Sequence, residues 1–96
     1  MQQCMDKIIE IINLWDPIGV FPMAPKDEYE IECKEIYCFL KNNPQVQEAE
    51  FCKKINDIFS KSFGADVYNS DVQKTFDISR KILNVIIAIQ NNTAHT

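Results

Sequence analysis

The sequence predicts an all-α protein, a compact bundle of about four helices in a single domain of 96 residues. Three observations predict this class. Apolar residues recur at the three- and four-residue spacing of a helix along almost the whole chain, and no segment alternates as a strand does. Prolines and other turn residues separate the periodic segments. The length suits one hydrophobic core, and a 46% share of hydrophobic residues is typical of a globular domain.

The first predicted helix spans residues 3–15, and its apolar face consists of Cys4, Met5, Ile8, Ile12 and Trp15. It ends before Pro17, because the residue that precedes a proline is disfavoured in helical geometry. The sequence Asp16-Pro17-Ile18-Gly19 is typical of a turn. A Pro-rich apolar loop over 16–25 then connects helices 1 and 2. We expect residues 18–23 to fold back over the helix ends, with the rim of a binding groove as the alternative.

The second predicted helix covers about 26–41, and its core face consists of Tyr29, Cys33, Ile36 and Leu40. Asn42-Asn43-Pro44 ends it. Asn43 and Pro44 suit the N-cap and the first position of a third helix. The apolar face of that third helix consists of Phe51, Cys52, Ile55, Ile58, Phe59 and Phe63. Gly64 suits its C-terminal end.

The pattern Ser70-Asp71-Val72-Gln73 is typical of a capping box, so a fourth helix is predicted from there to about residue 90. Its apolar arc covers more than half of the circumference and consists of Val72, Phe76, Ile78, Ile82, Leu83, Val85, Ile86, Ile87 and Ile89. A helix this apolar needs cover on several sides. The sequence therefore predicts that helices 1–3 pack around helix 4, and that residues 91–96 form a flexible polar tail.

Composition argues against several kinds of partner and cofactor. The net charge is −4 and the basic residues form no dense stripe, so we expect no nucleic-acid partner. Charges interrupt the N-terminal segment and no apolar run reaches the length of a membrane span, which predicts a cytoplasmic protein without membrane contact. The four cysteines lack metal-ligand spacing, and the single histidine, His95, lies in the tail. We therefore expect reduced cysteines, no metal and no cofactor.

No catalytic constellation is recognisable in the sequence. A cysteine or serine nucleophile usually needs a general base, and the only histidine lies in the tail. A carboxylate pair could be drawn from Asp16, Asp27 and Glu28, provided that burial or a neighbouring charge raises one pKa. The simpler interpretation is that Asp16 organises a turn, while Asp27 and Glu28 stand in the first turn of helix 2. We predict that the protein is not an enzyme and keep a carboxylate-based enzyme or a metal-binding protein as the least favoured alternative.

Acidic residues are concentrated in the first half of the chain. Residues 1–50 carry ten acids and four lysines, whereas residues 51–96 carry four acids and six basic residues. Five acids fall within nine residues around the start of helix 2, namely Asp27, Glu28, Glu30, Glu32 and Glu35. The molecule is therefore expected to have an acidic side.

Helix 2 carries a candidate surface for a protein partner. On a helical wheel Glu28, Glu32 and Glu35 lie together on a shoulder away from the core face. Ile31 and Cys38, which are seven residues apart, form a short apolar stripe beside them. An apolar strip with a charged rim is typical of an interface. The alternative is that the loop over 16–25 or self-association covers the stripe.

These features predict a small non-catalytic protein-binding domain that acts through the acidic face of helix 2. Its most specific form is an immunity or antitoxin-like role, because an acidic surface suits a basic partner protein. The alternative is a structural module that self-associates, for instance as a homodimer, through surplus apolar surface.

Two short motifs resemble those of a known family. Trp15-Asp16-Pro17-Ile18-Gly19-Val20 follows the first helix, and Asp27-Glu28-Tyr29 opens the second. In these motifs the chain is similar to a family of small bacterial all-helical proteins of unknown function, which carry a WDP(I/L)G(V) loop and a following D-E-Y motif. The resemblance covers roughly residues 8–40. It implies a compact all-α domain without an established activity or cofactor. From the residues themselves we expect Trp15 to anchor the end of helix 1 and Asp16 to organise the turn.

Overall fold

The computed structural model describes residues 2–19, 28–64, 66–68 and 71–94, and it confirms the all-α class. The described residues form four helices and no strand. In chain order these are α1 (Gln2–Trp15), α2 (Glu30–Asn42), α3 (Glu48–Phe63) and α4 (Val72–Ala94). Their apolar faces meet in one core, as the helical periodicity predicted.

The four helices form a ring in which each contacts two neighbours. Both α1 and α3 pack against α2 and against α4. Among the described residues α2 and α4 share no contact, so they occupy diagonal corners of the ring. The prediction that three helices surround α4 is therefore wrong. Its wide apolar arc is only partly buried, since Val72 is 67% and Ile87 53% exposed.

Aromatic contacts show that α2 and α3 run antiparallel. The ring centroids of Tyr29 and Phe63 lie 6.1 Å apart at one end of the pair. Further along α2, Phe39 stacks on Phe51 of α3 with centroids 6.2 Å apart. Later residues of α2 therefore lie beside earlier residues of α3. Such ring pairs each add about 0.5–1.5 kcal/mol beyond the area that they bury.

Phe59 of α3 lies at the centre of the aromatic core. Its fully buried ring has its centroid 5.4 Å from that of Trp15, 5.9 Å from Tyr29 and 5.6 Å from Tyr68. These three rings come from the end of α1, the start of α2 and the segment between α3 and α4. One side chain therefore joins the α1–α2 and the α3–α4 connections to the core, and Trp15 anchors the end of α1 as predicted.

α4 turns a partly polar face to the core. Thr75 and Ser79 are both fully buried. Thr75 Oγ1 donates to the backbone carbonyl of Asp71 at 2.8 Å, and Ser79 Oγ donates to that of Phe76 at 2.7 Å. Because carbonyls of the same chain satisfy these hydroxyls locally, their burial avoids the cost of an unpaired donor. The sequence prediction of an apolar arc missed both residues.

The structure corrects the predicted junction between α2 and α3. Asn43 closes α2, since its N–H donates to the carbonyl of Leu40 at 3.2 Å and its Nδ2 to that of Phe39 at 2.8 Å. Pro44 lies in the turn that follows, and α3 begins at Glu48. The predicted N-cap role of Asn43 is wrong because the preceding helix uses its amide.

The start of α2 also lies later than predicted. The helix begins at Glu30 rather than near residue 26. Glu28 stands in the turn before it and is exposed, so it is not a first-turn residue. Asp27 and residues 20–25 of the Pro-rich loop over 16–25 lie outside the described residues. Ile18, at the described end of that loop, packs partly buried against the core.

At the start of α4 the cap lies one residue later than the predicted capping box. Asp71 Oδ1 accepts the backbone N–H of Lys74 at 3.2 Å, which is the bond expected of an N-cap side chain. Ser70 lies outside the described residues. At the other end α4 continues to Ala94, so residues 91–94 of the predicted tail extend the helix, while 95–96 lie outside the described part.

Candidate functional site

α2 presents an apolar stripe to solvent. Ile31 is 68% exposed, and Cys38, two turns further along the helix, is exposed as well. On the opposite side of α2, Cys33 and Ile36 are fully buried in the core. The structure therefore confirms that the two stripe residues lie on the surface, away from the core.

The acidic shoulder beside this stripe contains two residues rather than three. Glu28 and Glu35 are exposed, but Glu32 is only 6% exposed. Because α2 packs against both α1 and α3, its buried arc is wider than packing on one side predicts. Glu32 falls within that arc, next to Cys33 and Ile36. The prediction that Glu32 lies on the exposed shoulder is wrong.

The buried cysteines have the properties of structural residues. Burial raises the pKa of the Cys33 thiol to about 12, and the charges of Glu32 and Glu30 act in the same direction. Burial also raises the pKa of Cys52. All four cysteines are free, as the sequence predicted. At neutral pH Cys33 and Cys52 are therefore neutral thiols, whereas nucleophilic cysteines react as thiolates.

The other flank of the stripe carries lysines, which the sequence prediction overlooked. Lys34 and Lys41 are exposed, and helix geometry places them opposite the acidic shoulder. Lys34 Nζ lies 3.2 Å from Glu30 Oε1, so its charge is paired. The outer face thus has an acidic flank, formed by Glu28 and Glu35, and a flank of mixed charge. A helical wheel of α2 places these lysines on one flank, whereas a count of acids along the segment does not show where the lysines lie.

Tyr29 and Asp16 hold the start of α2 against the end of α1. Tyr29 Oη donates to Asp16 Oδ1 at 2.6 Å and accepts the backbone N–H of Ile18 at 3.3 Å. Asp16 has a φ of +52° and Gly19 a φ of +65°. The N–H of Gly19 donates to the carbonyl of Asp16 at 3.0 Å. Asp16 therefore organises this turn as predicted, through its backbone and its carboxylate.

The phenol of Tyr29 is held in its protonated form. Burial raises its pKa above the usual 10.0, and the hydrogen bond to the Asp16 carboxylate and the charges of Asp16 and Glu28 raise it further. Of the three carboxylates considered for acid–base chemistry, Asp16 is engaged by this phenol. Glu28 is exposed, and Asp27 lies outside the described residues. The hydrogen bond between Tyr29 and Asp16 therefore holds the α1–α2 connection in place.

A second tyrosine forms a neutral cluster between α3 and α4 that the sequence prediction missed. Tyr68 Oη donates to Asn56 Oδ1, and Thr75 Oγ1 lies 3.0 Å from the same oxygen. Burial raises the pKa of Tyr68, so it too stays a donor. The cluster ties the segment after α3 to both helices. No short motif signals it, because Tyr68 is twelve and Thr75 nineteen residues from Asn56.

A cavity of about 350 Å³ lies beside this neutral cluster. Its lining residues include Cys52, Lys53, Asn56, Asp57, Val72 and Phe76. The volume is in the range of small-molecule sites. However, its charged side chains, one lysine and one aspartate, have opposite sign. They therefore favour no single class of charged ligand.

A smaller groove of about 100 Å³ lies between α1 and α4. It is lined by Ile11, Leu14, Trp15, Lys74, Ile78 and Lys81. Leu14 is 81% exposed, more than any other large apolar side chain described. Lys74 and Lys81 are exposed two turns apart on α4. The groove therefore combines accessible apolar surface with positive charge.

The described residues give no sign of a metal centre or of a membrane span. They contain no group of three or more His, Cys, Asp or Glu side chains that could hold a metal ion. None of the described helices combines the length and the apolar character needed to cross a membrane. Comparison with protein families, with curated proteins and with solved structures finds no match to this chain. The family resemblance of the two motifs stays a prediction, and the surfaces of the molecule remain the basis for assigning a function.

Proposed function

We propose that this chain is a small protein-binding module that uses the outer face of α2, formed by Glu28, Ile31, Glu35 and Cys38, as its interface. Ile31 carries the proposal, because a large aliphatic side chain is 68% exposed in the middle of the exposed side of α2. Full burial of such a side chain is worth about 1.5–3 kcal/mol. An exposed isoleucine beside charged residues is typical of a surface that a partner covers.

The partner that fits this face is a protein with lysine or arginine beside an apolar patch. Glu35 is exposed beside the stripe and Glu28 is exposed in the turn before α2, and together they offer two negative charges to that partner. Complementary charge accelerates association and selects against partners of like charge. Lys34 on the other flank is paired with Glu30 and therefore opposes this attraction only weakly.

An immunity or antitoxin-like role in the cytoplasm is the most specific form of this proposal. A small acidic protein neutralises a basic partner by covering its cationic surface, and such a role requires binding alone. The charge distribution supports it, since the net charge is −4 and ten of the 14 acids lie in residues 1–50.

The test compares two double variants of equal net charge. Glu28→Lys with Glu35→Lys reverses the outer face, whereas Glu50→Lys with Asp57→Lys reverses two exposed acids of α3. Each double variant changes the charge by +4, from −4 to 0. Immobilised wild-type and α3-variant proteins are expected to capture the same host protein. The outer-face variant is expected to bind it at least about tenfold more weakly, because like charges then meet.

An uncharged substitution tests the apolar part of the face. Ile31→Ser removes the exposed aliphatic side chain, retains every charge, and is expected to weaken capture in the same direction. The α3 variant is the control for general electrostatic effects. Equal capture by the outer-face variant, the α3 variant and Ile31→Ser, with helical content unchanged by circular dichroism, would contradict the proposal.

A further inference from the structure

The outer face of α2 and the groove between α1 and α4 are complementary in charge, and both are apolar at the centre. We infer that the outer face of one copy docks into the groove of a second copy of this chain, an inference that rests on the proposed function of the outer face. Because the two surfaces differ and each copy carries one of each, the pairing is head-to-tail.

The charges of the two surfaces have opposite sign and the same spacing in sequence. Glu28 in the turn before α2 and Glu35 in the middle of α2 are seven residues apart in sequence, and Lys74 and Lys81 are seven residues apart on α4. Along α4, seven helical residues separate the two lysines by about 10.5 Å. One copy therefore offers two exposed glutamates to the two exposed lysines of the next. Asp77, exposed one turn from both lysines, reduces the positive charge of the groove without cancelling it.

The apolar side chains at the centre of each surface are the most exposed ones described. Leu14, at the groove, is 81% exposed, and Ile31, on the outer face, is 68% exposed. Ile11 and Ile78 line the groove beside Leu14. Docking therefore covers both exposed side chains in one contact, and burial of apolar area is the dominant favourable term in most protein association.

The ring of helices prevents one copy from satisfying both of its own surfaces. α2 and α4 occupy diagonal corners, and the outer face of α2 points away from the core. The groove opens on the side where α1 meets α4. A second copy can therefore dock without displacing a helix. Repetition of the same contact adds further copies in an open chain or closes a ring.

Two charge-reversed variants test the contact. The outer-face variant carries Glu28→Lys with Glu35→Lys, and the groove variant carries Lys74→Glu with Lys81→Glu. All four positions are exposed, so both variants are expected to fold, which circular dichroism checks. In sedimentation velocity over a concentration series, wild type is expected to associate. Each variant alone is expected to associate at least about tenfold more weakly, since like charges meet in both.

An equimolar mixture of the two variants is the decisive sample. The basic outer face of one variant there meets the acidic groove of the other, and the remaining faces carry the wild-type pairing. Association is therefore expected to return in the mixture, while each variant alone associates at least about tenfold more weakly. A mixture that stays monomeric overturns the inference. Wild type that stays monomeric over the whole series also overturns the inference. In that case the capture experiment still tests the proposed function of the outer face.

Further outcomes separate the groove from the outer face. If the groove variant associates as wild type does and the outer-face variant does not, the groove is overturned and the outer face remains an interface. If the outer-face variant associates as wild type does, the inference is overturned, and the capture experiment decides the proposed function separately. The variant with Glu50→Lys and Asp57→Lys has the same net charge as the outer-face variant and is expected to associate normally. If this variant fails to associate, the net charge of the protein controls association rather than the outer face, which overturns the inference.

Leu14→Ser tests the apolar contribution to the groove without any change of charge. Leu14 is 81% exposed, so its replacement is not expected to alter folding. If the side chain is covered in the contact, the concentration required for association is expected to rise several-fold. Unchanged association of Leu14→Ser together with unchanged association of the groove variant places the contact elsewhere and overturns the inference.

Discussion

Tyr29 and Tyr68 perform the same structural task in two regions of the molecule with different chemistry. Each ties a segment between helices to the ring of Phe59, with ring centroids 5.9 and 5.6 Å from it. Tyr29 donates its hydroxyl to a carboxylate, that of Asp16, whereas Tyr68 donates to the amide oxygen of Asn56. A hydrogen bond to a charged group is worth about 1.5–3 kcal/mol, against about 0.5–1.5 kcal/mol for a neutral one.

The two clusters also differ in how they share their bonds. Thr75 Oγ1 lies 3.0 Å from Asn56 Oδ1 and 2.8 Å from the carbonyl oxygen of Asp71, so its single proton can turn to Asn56 when the tyrosine hydroxyl is lost. The α1–α2 connection instead contains a short hydrogen bond to a charged group, 2.6 Å between Tyr29 Oη and Asp16 Oδ1. A charged contact thus fixes one connection strongly, whereas a neutral network fixes the other through several weaker contacts.

The largest expected effect comes from removing the ring that both regions share. Phe59→Ala is expected to lower the free energy of unfolding by about 3–5 kcal/mol, because it leaves a cavity among Trp15, Tyr29 and Tyr68. Denaturant unfolding followed by circular dichroism measures this loss. Phe59→Leu is the control, since it keeps most of the buried volume and is expected to lose less. A loss below about 1 kcal/mol for the alanine variant would show that Phe59 does not couple the two regions.

A direct comparison of the two tyrosines has the next largest effect. Tyr29→Phe leaves the Asp16 carboxylate without this donor and is expected to cost about 1.5–3 kcal/mol, whereas Tyr68→Phe is expected to cost about 0.5–1.5 kcal/mol. Both substitutions retain the ring, so aromatic packing is held constant. The free energies of unfolding of the two variants, measured under the same conditions, test the difference.

Asp16→Asn supplies the control for that comparison. In the double variant with Tyr29→Phe, the two losses are expected to be far from additive, since both changes remove the same bond. Equal costs for the two tyrosine variants, or additive losses at Tyr29 and Asp16, would contradict the view that the charged contact dominates the α1–α2 connection.

These two regions also show which contacts a sequence reveals. The turn at Asp16 and the end of α1 at Trp15 could be predicted because their signals are local: a proline, a glycine and a side chain at the end of an apolar face. The cluster of Tyr68 could not, because its partners lie twelve residues away and on another helix. The helices themselves follow from apolar periodicity. Their ends differ from the prediction where one side chain, such as that of Asn43, can cap either the preceding or the following helix.

The same distinction between local and distant signals applies to the surfaces of the molecule. Ile31 and Cys38 were found because a single helix defines their exposure. Glu32 was misplaced because the width of a buried arc depends on how many helices pack against it, which periodicity alone does not encode. The groove was missed because Leu14 and Lys74 come from helices at opposite ends of the chain. Periodicity is read one helix at a time, so it does not identify surfaces built from two.

A gradual loss of stability is expected at alkaline pH. Tyr29 and Tyr68 have folded-state pKa values raised above 10.0, and that of Cys33 is raised from 9.0 to about 12. At a pH between the usual pKa of each group and its raised value in the folded protein, the folded protein retains a proton that the unfolded chain has released. The stabilisation is therefore complete below about pH 9 and declines as the pH rises, by at most about 1.4 kcal/mol per pH unit for each group.

The slope of this decline tests the comparison of the two tyrosines. Above pH 10 wild type is expected to lose stability more steeply than either phenylalanine variant, because each variant lacks one titrating phenol. Tyr29→Phe is expected to reduce the slope more than Tyr68→Phe, since the negative charge of Asp16 lies 2.6 Å from the phenol of Tyr29, whereas the partner of Tyr68 is neutral. Unfolding free energies measured in steps from neutral pH to pH 12 give both slopes. Equal slopes for the two variants would mean that burial alone, and not the neighbouring carboxylate, distinguishes these phenols from free tyrosine.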